Sequence, residues 1–164
     1  MMDTRSAKVQ AETFFKEKKY AGALELYKAL HAETAEKKYL YNAAVCLYSL
    51  SRTGDAASIL EDLWSTRQIF PDSGLFLGFC FRSLNQLGRA RRHFKTMIGE
   101  TSGAVRVRCR LMSALLTDEL GETEQAEKLY GALLADSEVV GPSRAEVCRR
   151  VATLKENRKD HHAA

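Results

Sequence analysis

The side chains best suited to metal or nucleophilic chemistry are four cysteines and four histidines. Their spacing supports neither. Cys46, Cys80, Cys109 and Cys148 lie far apart and never form the Cys-x-x-Cys pairing that zinc sites use. His31 and His93 have no Cys or His neighbour at ligand spacing, and His161-His162 stand in a tail expected to fray. Asp118-Glu119 are adjacent on a helical pattern and so point in different directions, which makes them a poor acid/base pair. A Gly-rich phosphate loop, a nucleophile elbow and a His-carboxylate pair are all missing from the sequence. The expectation is no catalytic residue, no metal and no cofactor. The thiols, on or beside apolar helical faces, read as small buried hydrophobes kept reduced.

Charge is the next candidate for chemistry. The net charge is a mild +4, but it is unevenly spread. Between residues 82 and 110 the basic side chains are Arg82, Arg89, Arg91, Arg92, Lys95, Arg106, Arg108 and Arg110, against Glu100 alone. Between residues 117 and 138 the acids are Asp118, Glu119, Glu122, Glu124, Glu127, Asp136 and Glu138, against Lys128. Such asymmetry can steer an oppositely charged partner, another copy of the chain included. It is equally what two solvated faces look like, and the sequence leaves both readings open.

The elements that position these residues are helices. The 164 residues, 45% apolar and 28% charged, suit one globular domain with a real core, and no Gly- or Ser-rich linker interrupts them. The first eight residues lack an apolar h-region, so no signal peptide is expected. Apolar runs are far shorter than the roughly 18 residues of a membrane span. A cytoplasmic protein with no membrane insertion is the expectation.

A repeat runs through the chain. An Ala stands four residues before an aromatic or Leu as Ala23 with Tyr27, Ala56 with Leu60, Ala90 with Phe94 and Ala126 with Tyr130, at spacings of 33, 34 and 36. Twelve residues before each Ala is another small residue, Ala11, Ala44, Gly78 or Ala114, followed three residues later by Phe14, Leu47, Phe81 or Thr117. The i, i+3, i+4, i+7 apolar spacing makes each unit two helices joined by a tight turn. The turns fall at Lys18-Lys19, Ser51 to Gly54, Asn85 and Leu120-Gly121. Trp64 is expected to pack under the connection to Ile69 and Phe70, and Pro71 marks a boundary with Asp72 or Ser73 as the next N-cap. A longer connection from Gly99 to Gly103 would account for the spacing of 36. Ser143 and Glu146 form a capping-box pattern that starts a final helix with Val147, Val151 and Leu154 on one stripe. That helix would close the array, apolar inside and polar outside, and fray from about Asn157.

These residues resemble the tetratricopeptide repeat (TPR) family, whose Leu-Gly pair, aromatic, later Ala, aromatic and apolar residue correspond to Leu77-Gly78, Phe81, Ala90, Phe94 and Met97. Thr117 departs from the pattern at an aromatic position, and the usual closing Pro is absent from all four units. The resemblance implies an all-α fold, a right-handed superhelix of four TPR helical hairpins with a C-terminal capping helix. The repeats would span about 4–36, 37–70, 71–104 and 107–140, with the cap over 141–160. The first helix of each hairpin would line a concave groove. The positions facing it include Lys8, Glu12 and Phe15, then Lys38, Tyr41, Asn42, Val45 and Tyr48. They continue with Asp72, Leu75, Phe76, Phe79 and Arg82, then Arg108, Leu111, Met112, Leu115 and Asp118.

Two ligand types known for the family can be set against these positions. The carboxylate clamp that holds the C-terminal tail of heat-shock chaperones keeps only Lys8 and Asn42, because Glu12, Asp72 and Phe76 occupy its other positions and two of them repel a carboxylate. An apolar groove fits better. The expected peptide-binding residues are Tyr41, Asn42, Val45, Tyr48, Leu75, Phe76, Phe79, Arg82, Leu111, Met112 and Leu115. Soluble monomers rarely expose so large an apolar patch without a use. The same side chains could instead pack on each other or under the C-terminal helix. The arginines of the third unit fall on both of its helices and on the next, so some point away from each other, which argues against nucleic acid. The function implied is a non-enzymatic adaptor, scaffold or chaperone for a protein or peptide partner. A homo-oligomeric structural protein, or a chaperone similar to those of type III secretion translocators, is the alternative.

Overall fold

Four fully buried alanines mark the frame of the protein. Ala23, Ala56, Ala90 and Ala126 have no exposed surface, and Ala11, Ala44 and Ala114 share that property. The structure is a computed structural model that describes residues 3–162, with side chains described through Glu156. Among the described residues the regular structure is helical throughout. The helices are α1 (Thr4–Lys16), α2 (Tyr20–Thr34), α3 (Lys37–Ser49), α4 (Thr53–Ser65), α5 (Asp72–Ser83), α6 (Leu87–Glu100), α7 (Gly103–Glu119), α8 (Thr123–Leu134) and α9 (Gly141–His162). None is long and apolar enough to cross a membrane.

The chain divides into two compact units, Met1–Asn85 with α1 to α5 and Gln86–Ala164 with α6 to α9. In the first unit each helix packs on the next in sequence, and α3 also touches α5. Its core holds Leu24, Tyr27, Leu30, Leu47, Leu60, Leu63 and Leu77. Tyr27 stacks on Tyr39 with ring centroids 6.4 Å apart. Small side chains let helices approach: a Cβ on Gly22 would lie 2.7 Å from Phe14 Cδ2. In the second unit α6 packs on α7, α7 on α8 and α8 on α9, and α9 reaches back to α7. Phe94, Met97, Leu116, Tyr130, Leu133, Val139 and Val147 form that core. Each such side chain contributes roughly 1.5–3 kcal/mol when fully buried.

The first helix of every hairpin ends in the same way. Lys18, Ser51, Asn85 and Gly121 all have positive φ on the left-handed side, at 59°, 61°, 58° and 79°. After α1 the Lys19 N–H bonds Phe14 O (2.8 Å) and the Lys18 N–H bonds Phe15 O (3.0 Å), which satisfies two carbonyls that the helix end would otherwise leave open. Arg52 and Ser51 repeat this against Leu47 and Tyr48, and Glu122 and Gly121 against Thr117 and Asp118. Thr117, the departure from the aromatic pattern, is fully buried and donates its hydroxyl to Ser113 O at 2.8 Å.

Several expected details differ. Only residues 101 and 102 separate α6 from α7, so no long connection precedes the fourth hairpin; the added spacing lies in α7, with 17 residues against 12 in α5. The long connection is 66–71, before α5. There Arg67 lies over the Trp64 ring at 4.3 Å, and Trp64 meets Phe70 at 5.7 Å. The N-cap of α5 is Pro71, not Asp72 or Ser73. Ser73 is fully buried and turns its hydroxyl back to Gln68 O at 3.1 Å. Helix α9 begins at Gly141-Pro142, two residues before the expected capping box, because Pro suits the first turn of a helix. Ser143 is therefore inside the helix, and the Glu146 carboxylate accepts from Arg149 and from Arg150 Nε, the latter at 2.9 Å. The backbone of α9 is helical through His162, and no Gly or Pro interrupts it after Pro142. The side chains of Arg158, His161 and His162 lie outside the described residues.

Candidate partner-binding groove

The accessible part of the expected groove is an aromatic cluster on α3 and α5 in the first unit. Tyr41, Val45 and Tyr48 share one face of α3, and Phe76, Phe79 and Ser83 share one face of α5 at i, i+3, i+7. Phe76 is the hub. Its centroid is 5.9 Å from Tyr41, 6.1 Å from Tyr48 and 5.9 Å from Phe79, with interplanar angles of 89°, 89° and 79°. Edge-to-face pairs of this kind place the positive ring edge against the negative ring face. Tyr48 Oη and Ser83 Oγ are 3.0 Å apart, so a hydrogen bond joins the ends of the two helices. All four rings are half-buried, as are Asn42 and Val45. The Tyr41 hydroxyl is pushed up to about 12, first by burial and then by nearby Asp72.

The remaining expected positions fall differently. Leu75 is buried, and Arg82 is exposed. In the second unit Leu111, Met112 and Leu115 are also buried, within a run from Leu111 to Thr117 that is buried at every residue. The accessible apolar surface among the expected residues is thus concentrated on α3 and α5. Sequence periodicity overlooked Ser83, although its i+7 offset from Phe76 is the signal that places it on the same face.

Two lysines of the first unit are matched within the chain. Lys8 pairs with Glu12 at 3.9 Å, and Lys38 pairs with Glu36. In the second unit the uneven charge is partly cancelled internally: Arg91 Nη1 bonds Glu122 Oε2 at 2.6 Å, and Arg110 pairs with Asp136. The Arg110 guanidinium and the Glu138 backbone N–H hold the Asp136 carboxyl below its usual range. Cys46, Cys80 and Cys109 are buried, and burial pushes each thiol up to about 11, which leaves them poor nucleophiles at neutral pH. Cys148 is exposed. Among the described residues no three His, Cys, Asp or Glu side chains gather as a metal site.

No protein-family profile and no curated protein matches the sequence. Solved structures do match. MamA from Desulfovibrio magneticus RS-1, from residue 41 to its end, superposes with a TM-score of 0.77 and 12% identity, covering 98% of this chain and 88% of that one. A double mutant of the RS-1 MamA gives the same score and identity over 98% and 87%. MamA is a tetratricopeptide-repeat protein. The fold of this chain is the tetratricopeptide-repeat fold. In that fold the small buried residues of the repeat (Ala11, Ala44, Gly78 and Ala114 on the first helices) do the packing. The fold by itself fixes no function, which lies in the side chains it leaves accessible.

Proposed function

We propose that this chain is a non-enzymatic protein–protein interaction module, an adaptor, scaffold or chaperone, that takes a peptide segment against α3 and α5. The observation that carries this reading is the half-buried cluster of Tyr41, Tyr48, Phe76 and Phe79. These rings together with Asn42 and Val45 bear no formal charge, while Asp72 lies near the Tyr41 hydroxyl and Arg82 is exposed on α5. A charged residue pressed onto the rings themselves would lose water that the rings do not replace. The segment that fits presents uncharged apolar anchors. Its backbone can hydrogen-bond to the Tyr41 hydroxyl and the Asn42 amide. Burying one Phe or Leu anchor contributes roughly 1.5–3 kcal/mol. Micromolar affinity, about 8 kcal/mol, therefore takes several such anchors, because association and ordering costs are subtracted.

The test is affinity purification from the native cell, followed by pull-down with Phe76→Glu and Phe79→Glu. Each variant is expected to lose the partner while its helical circular dichroism matches the parent. Binding retained by both variants would refute the α3/α5 surface. A concentration series by sedimentation separates this reading from self-association. If the chain assembles with itself and either variant abolishes that assembly, the partner is a second copy.

A further inference from the structure

We propose that Ser83 is a positioning residue of this groove: its hydrogen bond to Tyr48 Oη fixes the Tyr48 ring edge-on to Phe76, so the aromatic wall is set before a partner arrives. The inference rests on the reading of α3 and α5 as the binding surface. A tyrosine ring has two side-chain torsions, and its exposed hydroxyl end can otherwise swing away from a neighbour. Here the hydroxyl is tethered 3.0 Å from Ser83 Oγ while the ring meets Phe76 at 89°. The tether and the ring contact come from two different turns of the same helix, because Phe76 and Ser83 are seven residues apart on one face of α5. Tyr48 is therefore held at its tip and along its ring by α5, although it belongs to α3. Phe76 in turn touches Tyr41 and Phe79, so the position of one hydroxyl bears on the whole cluster. A wall held in its bound shape binds with less loss of side-chain freedom than one that must be ordered by the ligand.

The experiment uses the full chain carrying 3-fluorotyrosine, in which the six tyrosines give separate fluorine signals and Tyr48→Phe identifies one of them. Ser83→Ala is expected to displace and broaden the Tyr48 signal, leaving those of Tyr20, Tyr27, Tyr39 and Tyr130 in place. Ser83→Thr, which keeps a hydroxyl, is expected to return the Tyr48 signal to its parent position. A Tyr48 signal unchanged in Ser83→Ala overturns the proposal, and so does a signal displaced equally in Ser83→Thr. If Ser83→Ala moves every tyrosine signal, the residue has a general structural role and the positioning role fails. The readout needs no partner, so its failure is distinct from a failure of the pull-down.

Discussion

Removing one atom from Tyr130 should make the protein more stable. Tyr130 has no exposed surface, and among the described residues its hydroxyl has no hydrogen-bond partner. Burial pushes this phenol up to about 12, with Asp118 adding to the shift and Arg150 opposing it. An unsatisfied buried polar group costs about 1–3 kcal/mol. Tyr130→Phe removes that cost and leaves a void of one oxygen, so the net gain at neutral pH is about 1 kcal/mol. In a chain of this size that raises Tm by roughly 2–4 °C. The gain should grow in alkali. The raised pKa means that between about 10 and 12 the unfolded phenol ionises while the folded one keeps its proton. The unfolded state then binds fewer protons, and stability falls as pH rises through this window. A shift of two units is worth at most about 2.7 kcal/mol. Urea unfolding of parent and variant at pH 7.5 and pH 11 measures both effects. A variant less stable than the parent by about 1 kcal/mol or more at pH 7.5 would refute the reasoning, because it would mean that the hydroxyl is satisfied, for instance by a buried water.

Further expectations concern the turns, the acid limb and the thiols. Lys18→Gly and Ser51→Gly should each stabilise the fold by about 1 kcal/mol in thermal melts, since both residues hold left-handed backbone that costs an L-residue roughly 1–2 kcal/mol and costs Gly little. Asp136 has a folded pKa below its unfolded value, so the stability it contributes is present above the usual carboxylate range near 3.9 and is lost as pH falls through the folded value. Asp136→Asn should accordingly flatten the acid limb of a stability-against-pH curve. With a thiol-reactive disulfide reagent at neutral pH, Cys148 should react promptly in the native protein, while Cys46, Cys80 and Cys109 react only on unfolding.

The hairpins were legible because packing repeats with the chain. Ala23, Ala56, Ala90 and Ala126 recur at nearly constant spacing, and each is fully buried because its helix leaves room there for a methyl group and little more. The turns were legible by position more than by residue type. Asn85 and Gly121 suit left-handed backbone, whereas Lys18 and Ser51 do not and adopt it all the same. Tertiary packing on both sides of the turn overrides local preference, so the period located all four turns when the residue type marked only two. Details without a repeat were harder to read. The added length before α8 looked like a loop between two glycines, yet both Gly99 and Gly103 belong to helices.

How accessible each expected groove position is could not be read from the sequence. Helical register places Tyr41, Tyr48, Phe76, Phe79, Leu111, Met112 and Leu115 on comparable faces, but register carries no information on how far a side chain projects from its neighbours. Leu111, Met112 and Leu115 are aliphatic or unbranched and sit within a run of seven buried residues on α7. The four rings on α3 and α5 are half-buried, whereas Phe94 and Tyr130 in the second unit are fully buried, so ring size alone does not decide access. Tyr41, Tyr48 and Phe79 each meet Phe76 at an interplanar angle between 79° and 89°, and each ring keeps part of its surface accessible. The cluster is thus cohesive and accessible at once. The aromatic surface at α3 and α5 thus takes its cohesion from within the chain, and Phe76 is the side chain whose replacement changes both the cohesion and the surface.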